Sequence, residues 1–227
     1  MKYIITLFVL ILFSGRLRAQ GSIPQITLGG GVGVSTAFAG TEVQKTNLAW
    51  FAEAGYYPGT YVVMTAEEQI GTFSGASLNP NGVNPKSFIN NYNATIFNIG
   101  VAPTIILNDK QSALANVLKN IYLGTGLGLL FSNITNVNFY NIQAKDHINN
   151  FLPIVPLKSQ YEYSIVNNRQ EAVLKLDLSS AFYYAIGKGI DGYYDSFARH
   201  GAFYYFLNIG IKYPFNLDGG SGRPYNQ

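Results

Sequence analysis

A chain of 227 residues that is 48% hydrophobic, 15% aromatic and only 12% charged, with 24 glycines, can bury one core but is poor in charge for an ordinary soluble domain. With no cysteine it has no disulfide, no zinc–thiolate site and no N-terminal lipid-modified cysteine. Its formal charge of +3 includes no basic stripe, which argues against a nucleic-acid partner.

Met1 to Ala19 reads as a cleavable secretory signal: Lys2, an apolar run from Tyr3 to Phe13, a Ser14-Gly15 break, and Ala19 before Gln20. The run is too short to span a bilayer as a helix. Its removal takes away Lys2, Arg16 and Arg18 and no acid, so Lys+Arg falls from 15 to 12 against Asp+Glu 12, and the mature chain is neutral. After residue 19 no window reaches the roughly 18 consecutive apolar residues of a helical span, so any crossing must be made by strands.

Strict alternation then recurs in segments of about ten residues or more. The first, Gln25 to Phe38, sets Ile26, Leu28, Val32, Val34 and Phe38 on one face, and Gln25, Thr27, Gly29, Gly31, Gly33 and Ser35 on the other. The second, Asn47 to Tyr57, opposes Leu48, Trp50, Ala52, Ala54 and Tyr56 to Glu53 and Gly55, and ends in a Pro58-Gly59 turn. In the third, Thr60 to Phe73, Glu67 and Glu68 must point to opposite faces unless a bulge intervenes, and the pattern leaves its parity open. The fourth and fifth, Thr95 to Ile106 and Asn120 to Ser132, place large apolar residues against Asn, Gly, Ala and Thr. The sixth, Phe151 to Val166, turns Lys158, Gln160, Glu162 and Ser164 away from its apolar face, and the seventh, Glu171 to Tyr184, does so with Lys175, Asp177 and Ser179. The eighth, Ala202 to Phe215, opposes Phe203, Tyr205, Leu207, Ile209, Ile211, Tyr213 and Phe215 to Asn208, Gly210 and Lys212.

The second face of these strands is largely glycine, alanine and serine, a poor solvated exterior but a good lining for a narrow lumen. The expected fold is therefore an all-β, eight-stranded, antiparallel up-and-down transmembrane β-barrel over residues 20–215, after a signal peptide at 1–19 and before a short periplasmic tail at 216–227. An even strand count puts both mature termini in the periplasm of a bacterial outer membrane. Short turns at Pro58-Gly59 and Asn167-Asn168 then face the periplasm, and longer connections at 39–46, 74–94, 133–150 and 185–201 face outward. The segment 107–119 has helical spacing at Leu114, Val117 and Leu118, which predicts a short periplasmic helix. Tyr56, Tyr57, Tyr61, Tyr184, Tyr213 and Phe215 sit at strand ends, as interfacial girdles require.

From Ile154 to Phe215 the chain resembles small outer-membrane β-barrels of the OmpA-like transmembrane fold, particularly the PorT- and PorG-type accessory barrels of a bacterial secretion system. The strand pair Leu157 to Leu178, the loop Gly189-Ile190-Asp191-Gly192-Tyr193 and the last strand carry the resemblance. Within that strand Asn208, Gly210, Tyr213 and Phe215 are similar to the assembly signal read by the barrel-insertion machinery, although Asn216 to Gln227 follow it. The resemblance implies a fold and a place in the membrane more than a role in secretion.

His147 and His200 fall in predicted outer loops, and the neighbours of His200, namely Ser196, Asp195 and Asp191, lack a hydrolase pattern. No enzyme, cofactor or metal site is expected. The chemistry falls instead on four inward charges. Counted from the periplasmic strand ends, Glu53, Glu162 and Lys175 lie about four residues in and Lys212 about three, so at roughly 3.3 Å per residue they share one level. Lys175 then faces Glu162, and Lys212 reaches Glu53 across the small residues of the first strand. The function read from these features is a non-enzymatic barrel that anchors surface loops or packs as an accessory subunit against partner outer-membrane proteins. A narrow pore and, more remotely, a lipid hydrolase are the alternatives. Its expected partners are outer-membrane lipid, the insertion machinery and other outer-membrane proteins.

Overall fold

A strand with one apolar and one small or polar face is stable only if each face finds its own environment and its backbone groups find partners. The computed structural model describes residues 24–38, 43–77, 86–103, 118, 120–139, 142–144, 148–168, 172–187, 190 and 202–216. They form, in chain order, β1 (Gln25–Phe38), β2 (Val43–Lys45), β3 (Asn47–Gly59), β4 (Val62–Ser77), β5 (Lys86–Val101), β6 (Ile121–Phe139), β7 (Ile142–Ala144), β8 (Ile148–Val166), β9 (Ala172–Ala185) and β10 (Ala202–Asn216). The eight long strands pair antiparallel, each with the next, from β1 through β3, β4, β5, β6, β8 and β9 to β10. β10 then pairs with β1 from Phe203↔Phe38 to Asn216↔Gln25, and the ring closes. Closure satisfies the backbone of the first and last strands and leaves no edge among the eight. The two three-residue strands add to this ring at the end away from the chain termini, β2 on β4 and β7 on β6.

Every long strand turns large apolar residues outward, from Leu28, Trp50 and Ile70 through Phe97, Leu127 and Leu157 to Leu178, Ile209 and Tyr213. Leu127 keeps 66% and Leu157 67% of its surface exposed, which in water would be a severe cost and in hydrocarbon is the favoured state. Among the described residues no helix is long and apolar enough to cross a membrane. The protein is a small transmembrane β-barrel, with lipid around it and side chains filling its interior.

The alternation places the inward faces of seven of the eight long strands where the sequence pattern sets them, and the structure resolves the eighth, β4. Pairing of β4 with β3 and β5 runs without a bulge through Glu67 and Glu68, so Glu67 enters the lumen and Glu68 points out. Several strands are longer than the sequence pattern suggests. β5 begins at Lys86 rather than Thr95 and ends at Val101 rather than Ile106, while β4 runs to Ser77 and β6 to Phe139. The predicted loops 74–94 and 133–150 are thus shortened from both sides. Their Asn- and Ser-rich sequences look like loops because, beyond the apolar belt, strands go on pairing without needing apolar outer faces. Part of the predicted 39–46 connection is β2. Ser164, assigned to the lumen by alternation, is exposed: β8 is still paired with β9 there, but its pairing with β6 has ended at Tyr161. The signal peptide 1–19, the helix expected within 107–119 (save Leu118, which is helical) and the tail after Asn216 lie outside the described residues, as do His147, Ser196 and His200.

Glycine earns its frequency at the β1 wall. A Cβ on Gly29 would stand 2.6 Å from Lys212 Cγ and 2.8 Å from Lys212 Cα, inside van der Waals contact. The missing side chain is the space through which Lys212 leans. Gly29→Val is expected to destabilise the barrel by about 1–3 kcal/mol through overpacking, read as a lower urea midpoint for loss of the heat-modifiable folded band in detergent. An unchanged midpoint would show that Lys212 has room to spare.

Candidate functional site

Register alone assembles half of the central cluster. Gly29 pairs with Lys212 on one side and with Glu53 on the other, Lys212 pairs with Lys175, and Glu53 pairs with Glu67. One inward row thus reads Lys175, Lys212, Gly29, Glu53, Glu67. It sets two ammoniums side by side and two carboxylates side by side, and like charges directly opposite on paired strands repel. The row is stable only if opposite charges reach it from elsewhere.

Lys158 supplies that charge from the far wall. Its Nζ donates to Glu53 Oε2 at 2.7 Å and to Glu67 Oε2 at 2.6 Å, bridging the carboxylate pair from β8. Glu162, on the same strand, does the converse for the lysines. Its Oε1 accepts from Lys212 Nζ at 2.9 Å and its Oε2 from Lys175 Nζ at 3.3 Å. Lys212 also stands 2.5 Å from Glu53 Oε1 and 3.3 Å from Asp177 Oδ1, so its fully buried ammonium meets three carboxylates. Tyr57 donates to Glu162, Gln160 donates to Glu162 Oε1 at 2.8 Å, and Lys175 Nζ lies 3.8 Å above the Tyr57 ring. Glu53, Glu67, Glu162 and Asp177 against Lys158, Lys175 and Lys212 leave one formal negative charge in excess.

The structure therefore brings Glu53, Glu162, Lys175 and Lys212 to one cluster, with Lys212 linking the two glutamates. Sequence reasoning did not assign Glu67, Lys158 or Asp177 to it. Glu67 was hidden by the open parity of its strand. Lys158 and Asp177 were on inward faces, but counting from strand ends put them at other heights. Strands of a closed eight-stranded ring must tilt, so equal counts are not equal heights, and the long lysine stem covers the remaining difference.

Above and below the cluster the lumen is filled. Toward the end that holds the termini, Tyr57, Val63, Ala102 and Tyr122 pack together, and Tyr122 donates to the Thr60 carbonyl at 3.2 Å. Toward the other end Gln69 carries the contact upward, donating to Glu67 Oε1 at 2.6 Å and to Tyr183 OH at 2.7 Å. Tyr183 stacks on Tyr204 at 4.4 Å between ring centroids, Phe73 stacks on Tyr92 at 4.0 Å, and Phe73 meets Tyr204 at 5.0 Å. Ile190, from the connection after β9, is fully buried at this end, and its carbonyl accepts from Asn90 Nδ2 at 2.6 Å. Beside the charges a cavity of about 10 Å³ lies among Thr65, Asn98, Tyr122, Lys158 and Gln160, room for about one water.

The proposed assembly residues divide by face. Asn208 and Gly210 are buried, with Asn208 Oδ1 accepting from Ser179 at 2.9 Å, whereas Tyr213 and Phe215 face outward with ring centroids 4.8 Å apart. Among the described residues no group of His, Cys, Asp and Glu is arranged to hold a metal ion.

No protein-family model matches the chain, and no curated protein matches it. Among solved structures it is similar to Neisserial surface protein A, at 12% identity over 84% of this chain and 97% of that one, with a TM-score of 0.45. It is also similar to Ail, the attachment invasion locus protein of Yersinia pestis, at 9% identity over 86% and 100%, with a TM-score of 0.45. The outer membrane protein OprG from Pseudomonas aeruginosa gives 12% identity over 86% and 97%, with a TM-score of 0.41. The barrel itself is established by the closure of its own strand pairing.

Removing one member of a buried charge network leaves its partners unpaired, at about 3–5 kcal/mol. Lys158→Met, close in volume, is expected to destabilise the folded barrel by about that amount, because Glu53 and Glu67 are left face to face. Adding Glu67→Gln should recover most of the loss. Equilibrium unfolding in detergent measures both, and a Lys158→Met barrel as stable as the parent would mean that Lys158 is not what holds the pair and that Lys212, already at Glu53, suffices.

Proposed function

We propose that the protein is a closed, non-enzymatic barrel of the bacterial outer membrane that acts through its outer wall and its loops, as an accessory subunit of other outer-membrane proteins or as an anchor for surface loops. The filled lumen is the observation that supports this reading. A solute crossing from end to end would have to displace the Ile190 and Tyr183–Tyr204 stopper, the Lys158–Glu53–Glu67 bridge and the Tyr57–Tyr122 floor in turn. With its interior spent on its own stability, the barrel has only its exterior and its loops to offer a partner. An accessory role is what the resemblance of residues 154–215 to PorT- and PorG-type barrels would imply; no comparison with known proteins shows that resemblance.

In this reading the end holding Gln25 and Asn216 faces the periplasm, and the end capped by Ile190 faces outward. Lipid is the immediate partner of the wall, and the insertion machinery is a partner during assembly.

Purified protein in planar bilayers is expected to show no steady unitary conductance, since side chains fill an eight-stranded interior. Reproducible channel openings would overturn the closed-barrel reading in favour of a pore.

Tyr213 and Phe215 are proposed as the outward-facing part of the assembly signal. Replacing both by serine is expected to reduce the heat-modifiable barrel recovered from outer membranes, while deletion of residues 218–227 leaves it unchanged. Parental amounts of the double variant would remove that role.

A further inference from the structure

Glu68 is out of place on a lipid-facing wall. Of the described acidic and basic side chains on the eight long strands, the other seven, Glu53, Glu67, Lys158, Glu162, Lys175, Asp177 and Lys212, are buried in the lumen, and Glu68 alone points outward. It lies inside the apolar belt: the outward residues below it on β4 are Met64 and Ala66, and the next above is Ile70, 56% exposed. In register with it stand Ala52 on β3 and Thr95 on β5. Thr95 Oγ1 donates to Glu68 Oε2 at 2.6 Å, and this is the contact the carboxyl makes with the barrel's own wall.

One hydroxyl orients a carboxylate but does not neutralise it, and an unmatched charge facing hydrocarbon is disfavoured. Lipid chains have nothing to give it. A second copy of the chain in the same membrane orientation would bring another Glu68 to the same height. The outward lysine Lys45 pairs with Ser74, six residues further along β4, or about 20 Å at the usual strand rise. The charge therefore calls for a cation that neither lipid tails nor a twin barrel carries at that depth. The surroundings leave room for one: Ala52, Ala54 and Ala66 keep the wall low beside Glu68, and Trp50, 59% exposed, and Phe97, 57% exposed, stand up around it. The opposite wall carries Leu157, Leu176, Leu178, Ile209 and Ile211 and, among the described residues, no charge; its small polar pair, Ser159 and Ser180, is neutral, and Ser180 bonds the Tyr205 hydroxyl.

We propose that the outer face of β3, β4 and β5 around Glu68 is the docking surface for a membrane-embedded segment of a different protein, one that presents a lysine or arginine at the depth of Glu68. This rests on the accessory reading above and gives that role a face and a chemistry. Thr95 holds the carboxylate in position, and the alanines let the partner's backbone come close enough for its cation to reach.

The test is in-cell photo-crosslinking of the full chain with p-benzoylphenylalanine at Ala54 or Ala66 and, on the opposite wall, at Leu178 or Ile209. The expected result is an adduct with one other membrane protein from the first pair and not from the second, with the cross-linked segment carrying lysine or arginine. Glu68→Lys should lower its yield about tenfold or more, and Glu68→Gln should lower it in the same direction. Each variant is checked for the heat-modifiable folded band. Exchanging the partner's basic residue for glutamate should restore the yield on Glu68→Lys. Adducts between two copies, adducts with lipid alone, or a protein adduct indifferent to both Glu68 variants would overturn the proposal. Protein adducts from Leu178 or Ile209 only would overturn this surface while leaving the accessory role standing, and no protein adduct from either wall would remove both.

Discussion

Two glutamates on neighbouring strands, Glu53 and Glu67, face each other inside a space that holds no bulk water. Gln69 on β4 gives Glu67 a hydrogen bond, but neither β3 nor β4 carries a cation to offset the two charges. The bridge from Lys158 crosses the barrel from β8, and its partners lie 105 and 91 residues away in the chain. The charge cluster is thus a closure device as much as a filling. It is satisfied only when β1, β3, β4, β8, β9 and β10 have all taken their places, because each contributes a group or the gap through which a group reaches. A buried network of this kind adds little net stability over a well-packed apolar interior, but it strongly penalises any arrangement in which one member is missing. A strand slip of one residue would turn its lumen charges to the lipid, so the network also guards register.

The rest of the lumen follows from the same geometry. An eight-stranded ring leaves an interior about as wide as the side chains that fill it, so layers of different chemistry stack along the axis. Tyrosines close the end with the termini, charges lie above them, Gln69 relays from Glu67 to Tyr183, and stacked rings close the far end beneath Ile190. Each tyrosine hydroxyl in that relay gives a polar edge to an otherwise apolar layer. The exterior inverts the rule of soluble proteins: its leucines, isoleucines and phenylalanines are exposed because their solvent is hydrocarbon. Against that background Glu68, the one outward carboxylate among the described strand residues, is conspicuous, and it is the ground for proposing a protein neighbour there.

The amino-acid sequence by itself determined the strands, their faces and the membrane as surroundings, because a two-residue period with one apolar and one small face has few other uses. It also determined that Glu53, Glu162, Lys175 and Lys212 point inward, since parity needs no knowledge of neighbours. It could not carry strand ends past the lipid belt, where Asn90, Asn91 and Asn93 pair in β5 with the look of a loop. Tertiary structure alone decided the parity of β4, since adjacent Glu67 and Glu68 are equivalent until β3 and β5 pair on either side. It alone decided that Lys158 and Asp177 join the charges, because the tilt that closes a barrel converts position along a strand into height in a way no single strand records.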